Sequence, residues 1–238
     1  MPSSCPFCKI AASYPPIPPS TYLQTTPDSD SESKSPADSS TPKPNEDGHA
    51  FLILSTKHVL AFLDIMPLTQ GHVLVVPRTH YEKLSEVGVR ISRELGTWLP
   101  IVSRAVMRTV FGESVGADTD PNGNGHGFTD PSWNWNVVQN NGVGAAQVVP
   151  HVHFHIVPRP PLGAASTSAK MSFVMFGRGQ REDLDDEEAE KLVRVLRGEV
   201  AREVARVREV EGIALEGEVR DVEGGDGEVG VVGGKGRL

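Results

Sequence analysis

Short apolar runs along the chain predict the strands of a β-sheet. Residues 59–64 (Val-Leu-Ala-Phe-Leu-Asp) and 71–77 (Gly-His-Val-Leu-Val-Val-Pro) are two such runs, separated by a turn at residues 67–71. Two later runs, residues 133–139 and 148–158, are rich in the β-branched and aromatic side chains that strands favour. We expect the first two runs to form an antiparallel pair and the last two to form the centre of the sheet.

Two longer segments show the spacing of an amphipathic helix. Between residues 84 and 111, apolar side chains recur three or four positions apart, so they share one helix face. Pro100 lies inside this pattern and predicts a kink or a break into two shorter helices. A last helix is predicted to begin near Asp185, whose side chain can cap it, and the acidic residues that follow suit the positive end of the helix dipole. Because strands and helices do not alternate regularly, the predicted fold class is α+β.

Three stretches have compositions that cannot build a core. Residues 18–48 are rich in Ser and Pro, residues 112–132 in Gly and Asn, and residues 212–238 in Gly and Glu. Such stretches bury too little apolar surface to offset the entropy of ordering them. We therefore expect a disordered insertion, a mobile loop and an acidic tail, with residues 1–17 and 49–211 forming a single domain.

The charge distribution limits the classes of partner. The formal net charge is −8, and residues 181–238 alone contribute −7 of it. A nearly neutral remainder without a basic cluster argues against a nucleic-acid polymer, and an acidic end argues against an anionic membrane surface. The apolar runs are too short to span a bilayer, and the polar N-terminus lacks the apolar region of a signal peptide. We expect an intracellular protein of the cytoplasm, with the nucleus as a second compartment.

Three histidines alternate with apolar residues at the start of the last predicted strand. On an extended strand, His151, His153 and His155 would face one side, whereas Val152 and Phe154 would face the core. Packing alone rarely concentrates side chains that titrate near neutral pH. The alternation therefore indicates a functional site, and strand-borne histidines of this spacing can also ligate zinc.

The segment before the histidines favours a phosphate site. Gly142 and Gly144 allow backbone N–H groups to approach an anion closely, and Asn140 and Gln147 add neutral donors. A glycine-containing loop is a weak indication by itself. Joined to three alternating histidines, it predicts that the site binds a phosphate group.

Residues 147–159 (Gln-Val-Val-Pro-His-Val-His-Phe-His-Ile-Val-Pro-Arg) resemble the signature of the histidine triad (HIT) family. Further matches, in the order that the family shows, lie at residues 5–10, 61–65, 71–77 and 79–80. The resemblance covers most of residues 3–16, 50–110 and 133–160. It implies a HIT-like antiparallel sheet with flanking helices, and a homodimer.

The resemblance also implies a role for individual residues. His153 corresponds to the nucleophile, and His155 and His72 to residues that contact the phosphates and assist the leaving group. Asp64 corresponds to the carboxylate that binds the ribose hydroxyls. The other implied nucleotide contacts are Asn140, Gln147 and the backbone of Val148 at the phosphates, and Phe7, Ile10, Phe62 and Ile65 around the base. Core packing is the alternative for those four apolar residues, and a helix cap is the alternative for Asp64.

The loop departs from the family pattern in two ways. Many members have Ser or Thr at the position of Val148, and glycines near Ala145 and Ala146. A hydroxyl contact to phosphate is therefore missing and the loop is bulkier, although the backbone N–H of Val148 remains able to bind an anion. This departure leaves the preferred leaving group open.

Both cysteines of the chain lie in one Cys-x-x-Cys, at Cys5 and Cys8. Zinc-containing HIT proteins combine such cysteines with histidines that correspond here to His80 and His151, which implies a structural zinc site. Two unlinked thiols are one alternative, and a redox pair is another that lacks its usual β-α-β context. If His151 faces zinc, it cannot also share one polar wall with His153. The strand must then twist, or the two sites must abut.

The resemblance implies a nucleotide hydrolase that acts at the α-phosphorus through a covalent nucleotidyl-histidine. The expected substrate is a purine nucleoside phosphoramidate or a dinucleoside polyphosphate, with a sugar nucleotide also open. One alternative is a zinc-dependent hydrolase that uses the triad histidines as ligands. The other is a non-catalytic nucleotide-binding interaction protein.

Overall fold

Five antiparallel strands form one sheet in a computed structural model that describes residues 4–24, 46–112, 133–159 and 183–215. The strands are β1 Leu52–Ser55, β2 Val59–Leu63, β3 Val73–Pro77, β4 Asn134–Gln139 and β5 Phe154–Arg159, in the order β1-β2-β3-β5-β4. The α-helices are α1 Pro6–Ser13, α2 Val89–Phe111 and α3 Asp186–Arg206. Short 3-10 helices lie at Pro19–Gln24, Leu84–Glu86 and Val143–Ala145, and a π-helical turn at Val207–Glu211. The predicted α+β class is confirmed.

The predicted antiparallel pair is β2 with β3, in which Val59 lies opposite Pro77 and Leu63 opposite Val73. The last predicted strand pairs with β3 on one side and β4 on the other, as expected for an inner strand. The expectation that residues 133–139 also lie at the centre is wrong, because β4 is at the edge of the sheet. Its predicted start is wrong, because β5 begins at Phe154 and not at residue 148. Pro150 has no N–H to donate to a ladder, so the chain before β5 makes a bend.

Both faces of the sheet are covered, which explains why every residue of β2 is buried. Val59, Ala61 and Leu63 belong to a large core with helices α2 and α3. Leu60 and Phe62 belong to a smaller core with α1. Alternate side chains of a strand point to opposite faces, so β2 contributes to both cores. The small core lies on the face of the sheet that carries the candidate site.

Besides its packing in the small core, helix α1 is held at its end by the half-buried side chain of Arg78. The Arg78 guanidinium donates to the carbonyl oxygens of Ala11 (2.5 Å) and Tyr14 (3.0 Å) at the end of α1, and to that of Thr56 (3.1 Å) before β2. Helix ends leave carbonyl groups without an intrahelical partner, and these bonds supply one. Arg78 follows β3, so the end of this strand fixes the helix that carries both cysteines.

Helix α2 runs without interruption through Pro100, so the predicted break is wrong. Proline removes one hydrogen bond to the residue four positions earlier, which is Gly96. Both residues lie on the exposed side of the helix, where water can satisfy the Gly96 carbonyl. The cap of the last helix is confirmed, since Asp185 accepts a hydrogen bond of 2.9 Å from the Glu188 N–H.

The predicted disordered segments differ from the structure at their edges. The 3-10 helix at Pro19–Gln24 packs against α3, and the Arg197 guanidinium lies 5.2 Å from the centre of the Tyr22 ring. Asp47 accepts a hydrogen bond from Lys9. Leu215 is buried in the large core. The rest of the predicted insertion, loop and tail, at residues 25–45, 113–132 and 216–238, lies outside the described residues.

No helix in the described ranges is both long enough and apolar enough to cross a membrane.

Helices α2 and α3 are joined by a buried ionic cluster. Glu203 on α3 pairs with Arg104 and Arg108 on α2 and with Arg206 on its own helix. Burial would raise the pKa of Glu203, but hydrogen bonds from Arg206 and Arg108 hold it below its usual value.

Replacing Glu203 with Gln should therefore destabilise the fold in a pH-dependent way. A carboxyl group with a lowered pKa stabilises the fold above its unfolded pKa, about 4.3, and loses that effect as the pH falls through the folded value. We expect Glu203→Gln to lower the free energy of unfolding by about 2–4 kcal/mol at pH 7. The difference from wild type should shrink below about pH 4.

Urea denaturation at several pH values measures this effect. Glu187→Gln is a matched control on the same helix, because Glu187 is exposed and its ion pair among the described residues is with an exposed lysine, Lys191. Its effect should stay within about 0.5 kcal/mol. Equal effects of the two substitutions at pH 7 would contradict a stabilising role for the buried cluster.

Candidate active site beside a cysteine and histidine cluster

Pairing of β3 with β5 brings five histidines into one region of the molecule. His72 and His80 flank β3, one before it and one after it. His155 lies within β5, whereas His151 and His153 lie just before that strand. The centre of the sheet thus collects side chains that are distant in sequence.

The triad histidines do not form one wall, which corrects the expectation drawn from their alternation. That expectation required an extended strand from His151 to His155. The chain instead bends, because the His151 N–H donates to the Val149 carbonyl oxygen at 2.8 Å. The His151 ring faces the cysteines, and His153 and His155 contact each other with ring centres 4.8 Å apart.

His153 is a buried imidazole with a defined proton position. Its Nδ1 lies 2.6 Å from the backbone carbonyl oxygen of His151. A carbonyl only accepts, so Nδ1 carries the proton and Nε2 carries the lone pair. Burial lowers the pKa of His153, against the opposing effects of this hydrogen bond and of the Asp64 charge. His153 is therefore neutral at neutral pH, and its Nε2 can attack an electrophile.

A chain of hydrogen bonds also fixes the proton on His155. The Leu68 N–H donates to Nδ1 of His72 at 3.1 Å, so the proton of neutral His72 lies on Nε2. That Nε2 lies 2.9 Å from Nδ1 of His155, which must accept. His155 therefore carries its own proton on Nε2. The site combines an unprotonated nitrogen on His153 with an N–H donor on its neighbour.

Asp64 follows β2 and lies beside the same pair of histidines. Its Oδ2 is 3.5 Å from Nδ1 of His72 and 4.0 Å from Nδ1 of His155. Its Oδ1 accepts a hydrogen bond of 2.9 Å from the Met66 N–H. This bond closes a turn and not a helix, so the helix-cap alternative is wrong. The structure places the carboxylate at the site.

Three of the four apolar residues expected around a base lie in the small core. Phe7, Ile10 and Phe62 are buried there. The Phe7 ring centre lies 5.5 Å from that of Phe62 and 5.3 Å from that of His153. Ile65 differs, because 65% of its surface is exposed. Phe7 contacts a histidine of the site, and Ile10 and Phe62 pack in the same core, so their contact with a base stays a prediction.

Residues 140–148, which we call the anion loop, are shaped by two residues in the left-handed region. Gly142 has a φ of +86° and Ala146 a φ of +63°. For a residue with a Cβ, such as Ala146, this conformation costs about 1 kcal/mol or more. Asn140 is half-buried, and 91% of the Val148 surface is exposed.

Gln147 braces the anion loop instead of presenting its amide outward, which differs from its expected role as a phosphate donor. Its Oε1 accepts from the Gly142 N–H at 2.5 Å. Its Nε2 donates to the carbonyl oxygens of Glu82 at 2.8 Å and His151 at 3.4 Å. Gln147 therefore connects the loop to the carbonyl group that orients His153.

A second cluster lies directly beside this site. The ligand atoms of Cys5, Cys8, His80 and His151 all lie within 4.8 Å of one another. Nδ1 of His151 is 3.4 Å from Sγ of Cys5 and 3.8 Å from Sγ of Cys8, and Nδ1 of His80 is 3.4 Å from Sγ of Cys8. The four residues predicted from the sequence as metal ligands are thus brought together.

The geometry and chemistry of this cluster fit a zinc ion. Zn–S bonds of about 2.3 Å and Zn–N bonds of about 2.0 Å separate sulfur and nitrogen ligands by about 3.5 Å in a tetrahedron. Nε2 of His151 donates to the Pro77 carbonyl oxygen at 2.9 Å, which leaves the lone pair on Nδ1, facing the sulfur atoms. Burial lowers the pKa of His151 to about 4, so the ring is neutral as a ligand must be.

A cysteine must lose its proton to bind a metal. Burial, together with the neighbouring Cys5, raises the pKa of the Cys8 thiol to about 11. A nearby divalent cation reverses this effect, because it stabilises the thiolate that binds it.

The two sites abut, which resolves the conflict over His151. Its ring belongs to the cysteine cluster, and its backbone carbonyl orients His153. Phe7, which lies between the two cysteines in sequence, contacts both histidine rings at 5.6 Å and 5.3 Å. The three triad rings therefore do not converge on one point, and zinc held by all three does not fit this arrangement.

Asp64, His72 and His155 form another group whose ligand atoms lie within 4.8 Å of one another. Hydrogen bonds already engage both nitrogens of His72, through Leu68 and His155. This group is therefore better suited to holding a proton in place than to holding a metal.

Sequence analysis missed the backbone groups that support the site. The carbonyl oxygen of Tyr81 accepts from the Val152 N–H at 2.7 Å, and those of Glu82 and Pro77 accept from Gln147 and His151. Every residue has a backbone carbonyl group, so the sequence does not indicate which of them support the site. Only the position of these residues directly after the second strand run could have suggested their role.

Comparison with known proteins gives the family. The HIT domain profile matches residues 45–162. The chain is 35% identical to an uncharacterized HIT-like protein of Methanocaldococcus jannaschii over 137 residues, which is 58% of this chain and 84% of that protein. It is 37% identical to an adenosine 5′-monophosphoramidase of Schizosaccharomyces pombe over 101 residues, which is 42% of this chain and 58% of that protein.

A third relative has a different named activity. The chain is 31% identical to an adenylylsulfatase of Arabidopsis thaliana over 100 residues, which is 42% of this chain and 41% of that protein. The matches to both named enzymes thus span less than two thirds of their length. The profile match and the extensive match to the Methanocaldococcus jannaschii protein show that this chain belongs to the HIT domain family.

Proposed function

We propose that the protein hydrolyses a purine nucleoside 5′-phosphate derivative at its α-phosphorus, with His153 as the nucleophile. The observation that carries this proposal is the hydrogen bond from Nδ1 of His153 to the His151 carbonyl oxygen. It leaves Nε2 unprotonated in a buried ring that stays neutral at neutral pH. A neutral, oriented imidazole is what attack on phosphorus requires.

The reaction proceeds in two displacements. In the first, Nε2 of His153 forms a bond to the α-phosphorus, the bond to the leaving group breaks, and the leaving group takes the proton from Nε2 of His155. In the second, a water molecule attacks the phosphorus and returns a proton to His155. The phosphorus–nitrogen bond then breaks and releases a nucleoside 5′-monophosphate.

The surrounding residues have roles consistent with this chemistry. Asp64 accepts hydrogen bonds from the ribose hydroxyls, and His72 fixes the proton of His155. The small core around Phe7 forms one wall for the base. N–H groups of the anion loop, including that of Val148, bind the phosphoryl oxygens as their charge increases. Gln147 is a positioning residue, because its amide is bonded within the protein.

The relatives support hydrolysis of a nucleotide but differ in the group released. An adenosine 5′-monophosphoramidase releases an amine from phosphorus, and an adenylylsulfatase releases sulfate. Dinucleoside polyphosphates would release a nucleotide. The proposed first step is the same for all three, since each substrate carries an adenosine-type nucleotide with a leaving group on the α-phosphorus.

The Cys5, Cys8, His80 and His151 cluster is proposed to bind one structural zinc ion. All four protein ligands would be supplied, so the ion would have no open position for substrate. Bound zinc would stabilise α1 against the sheet and thereby fix His151. Thiols that must stay reduced to bind metal suit the cytoplasm or the nucleus.

A homodimer is proposed through strand β4. This strand lies at the edge of the sheet and, among the described strands, pairs only with β5. Val137 and Val138 on this strand are exposed by 47% and 40%. An open edge that presents backbone groups and apolar side chains can pair with the same strand of a second copy.

His153→Asn tests the proposed nucleophile. Asparagine keeps a polar side chain but removes the attacking nitrogen, so nucleotide binding should survive. The kcat should fall by about a thousandfold or more, as removal of a nucleophile does in other covalent enzymes. Steady-state kinetics on adenosine phosphoramidate and diadenosine triphosphate, with calorimetry of AMP binding, measure both effects. His49→Asn, a histidine outside the site, should change kcat less than twofold. Near-normal turnover by His153→Asn would refute the assignment.

Cys8→Ser tests the zinc proposal independently of activity. Wild-type protein purified without chelator should contain about one zinc ion per chain, and the variant close to none. Because structural metal binding contributes folding free energy, the variant should also melt about 10 °C lower or more. Ala12→Ser introduces the same residue on the exposed side of α1 and should retain the metal. Wild-type protein without zinc, or a variant with full zinc content, would exclude the site.

A further inference from the structure

A segment outside the histidine motif runs along the anion loop. The Tyr81 carbonyl accepts from the Val152 N–H, and the Glu82 carbonyl accepts from Nε2 of Gln147. The Leu84 N–H donates to Oδ1 of Asn141 at 2.9 Å. Hydrogen bonds therefore fix the residues on both sides of Lys83, namely Glu82 before it and Leu84 after it, to the loop.

Lys83 extends over the start of the anion loop. Its Cε lies 3.8 Å from the position that a Cβ on Gly142 would occupy. The side chain is exposed, and within the described part of the chain no carboxylate lies within ion-pair distance of its ammonium group. Of its acidic neighbours in sequence, Glu86 accepts a hydrogen bond from the Glu82 N–H. A cation without an ion-pair partner among the described residues thus lies beside a loop that we propose binds an anion.

The exposed side chains of the loop itself carry no positive charge. Val143 and Val148 are exposed by 88% and 91%, and the exposed Ala145 and Ala146 are likewise apolar. Asn141 is engaged with Leu84 and Gln139. The N–H groups of Gly142, Ala145, Ala146 and Gln147 are already hydrogen-bonded within the loop. Among the described residues, Lys83 therefore supplies the positive charge that an anion at the outer side of the loop would meet.

We propose that Lys83 binds an anionic leaving group and is a specificity-determining residue of this enzyme. This rests on the proposed function and deepens it. Through Gln147 the loop contacts the carbonyl group of His151 that orients His153, and the proposed function assigns the phosphoryl oxygens to N–H groups of this loop. An anionic group attached to the α-phosphorus would then come within reach of the long side chain of Lys83 at the start of the loop.

The charge of Lys83 selects the chemical class of the substrate. When the phosphorus–oxygen bond to a phosphate or sulfate group breaks, negative charge remains on the departing oxygens, and an ammonium group stabilises it as a point charge. A departing amine carries no such charge. The preferred substrates are thus nucleotides whose α-phosphorus bears an oxyacid anion, either sulfate or a further phosphate.

Lys83→Met in the full-length chain tests this selection, because methionine keeps the apolar stem and removes the charge. The substrates are adenosine 5′-phosphosulfate, diadenosine triphosphate and adenosine phosphoramidate. We expect kcat/KM on at least one anionic substrate, relative to the phosphoramidate, to fall about five- to tenfold. The anionic substrate whose kcat/KM falls shows whether Lys83 favours a sulfate or a phosphate leaving group. The loss should shrink in 0.5 M salt, since exposed charges are then screened.

Lys191→Met is the matched control, because Lys191 is an exposed lysine on α3. It should leave the substrate ratio within twofold. An unchanged ratio in Lys83→Met for both anionic substrates would overturn the proposal for Lys83 and leave the proposed function intact.

A binding measurement keeps the two proposals distinct. In the His153→Asn background, ADP carries a β-phosphate in the place of the leaving group, and AMP does not. Lys83→Met should weaken binding of ADP about five- to tenfold more than binding of AMP. Equal effects on both would overturn the role of Lys83 even if turnover were absent. Wild-type protein that binds AMP but hydrolyses none of the substrates would instead contradict the proposed function.

Discussion

The structure depends on the position of His151, which serves two sites with different parts of one residue. Its ring presents Nδ1 to the sulfur atoms, while Nε2 donates to the Pro77 carbonyl oxygen. Its own carbonyl accepts the proton of His153. A shift of this residue would therefore disturb the cysteine cluster and the proposed nucleophile together. The bend before β5 turns the His151 ring toward the cysteines while its carbonyl group stays bonded to His153.

In the proposed mechanism, the surroundings of a buried histidine prepare it for attack on phosphorus. Burial lowers the pKa of His153, so the ring stays neutral, and the backbone carbonyl selects the tautomer. A separate series of hydrogen bonds, which begins at the Leu68 N–H and passes through His72, sets the tautomer of His155. The two rings thus present opposite chemical properties, one lone pair and one proton, without needing a charged residue between them. Such preorganisation reduces the reorganisation needed at the transition state.

Much of this arrangement could be predicted from local patterns, and the remainder depends on distant contacts. The β2 and β3 pair and the capped start of α3 follow from periodicity and from one aspartate. The four cluster residues followed from the family resemblance. Neither strand β1 nor helix α1 was predicted, because each is a short apolar segment without a periodic pattern. The continuity of α2 through Pro100 depends on solvent at Gly96. The turned His151 depends on a carbonyl group of another strand, which no motif encodes.

The central claim is that His153 forms a covalent bond to the nucleotide. Its most direct test is rapid quenching of the wild-type enzyme during turnover of a substrate labelled at the α-phosphate, followed by peptide mass spectrometry. The account predicts an acid-labile, base-stable nucleotidyl group on the peptide that contains His153, formed and lost at rates compatible with kcat. Turnover with no label on any histidine at any quench time would contradict it.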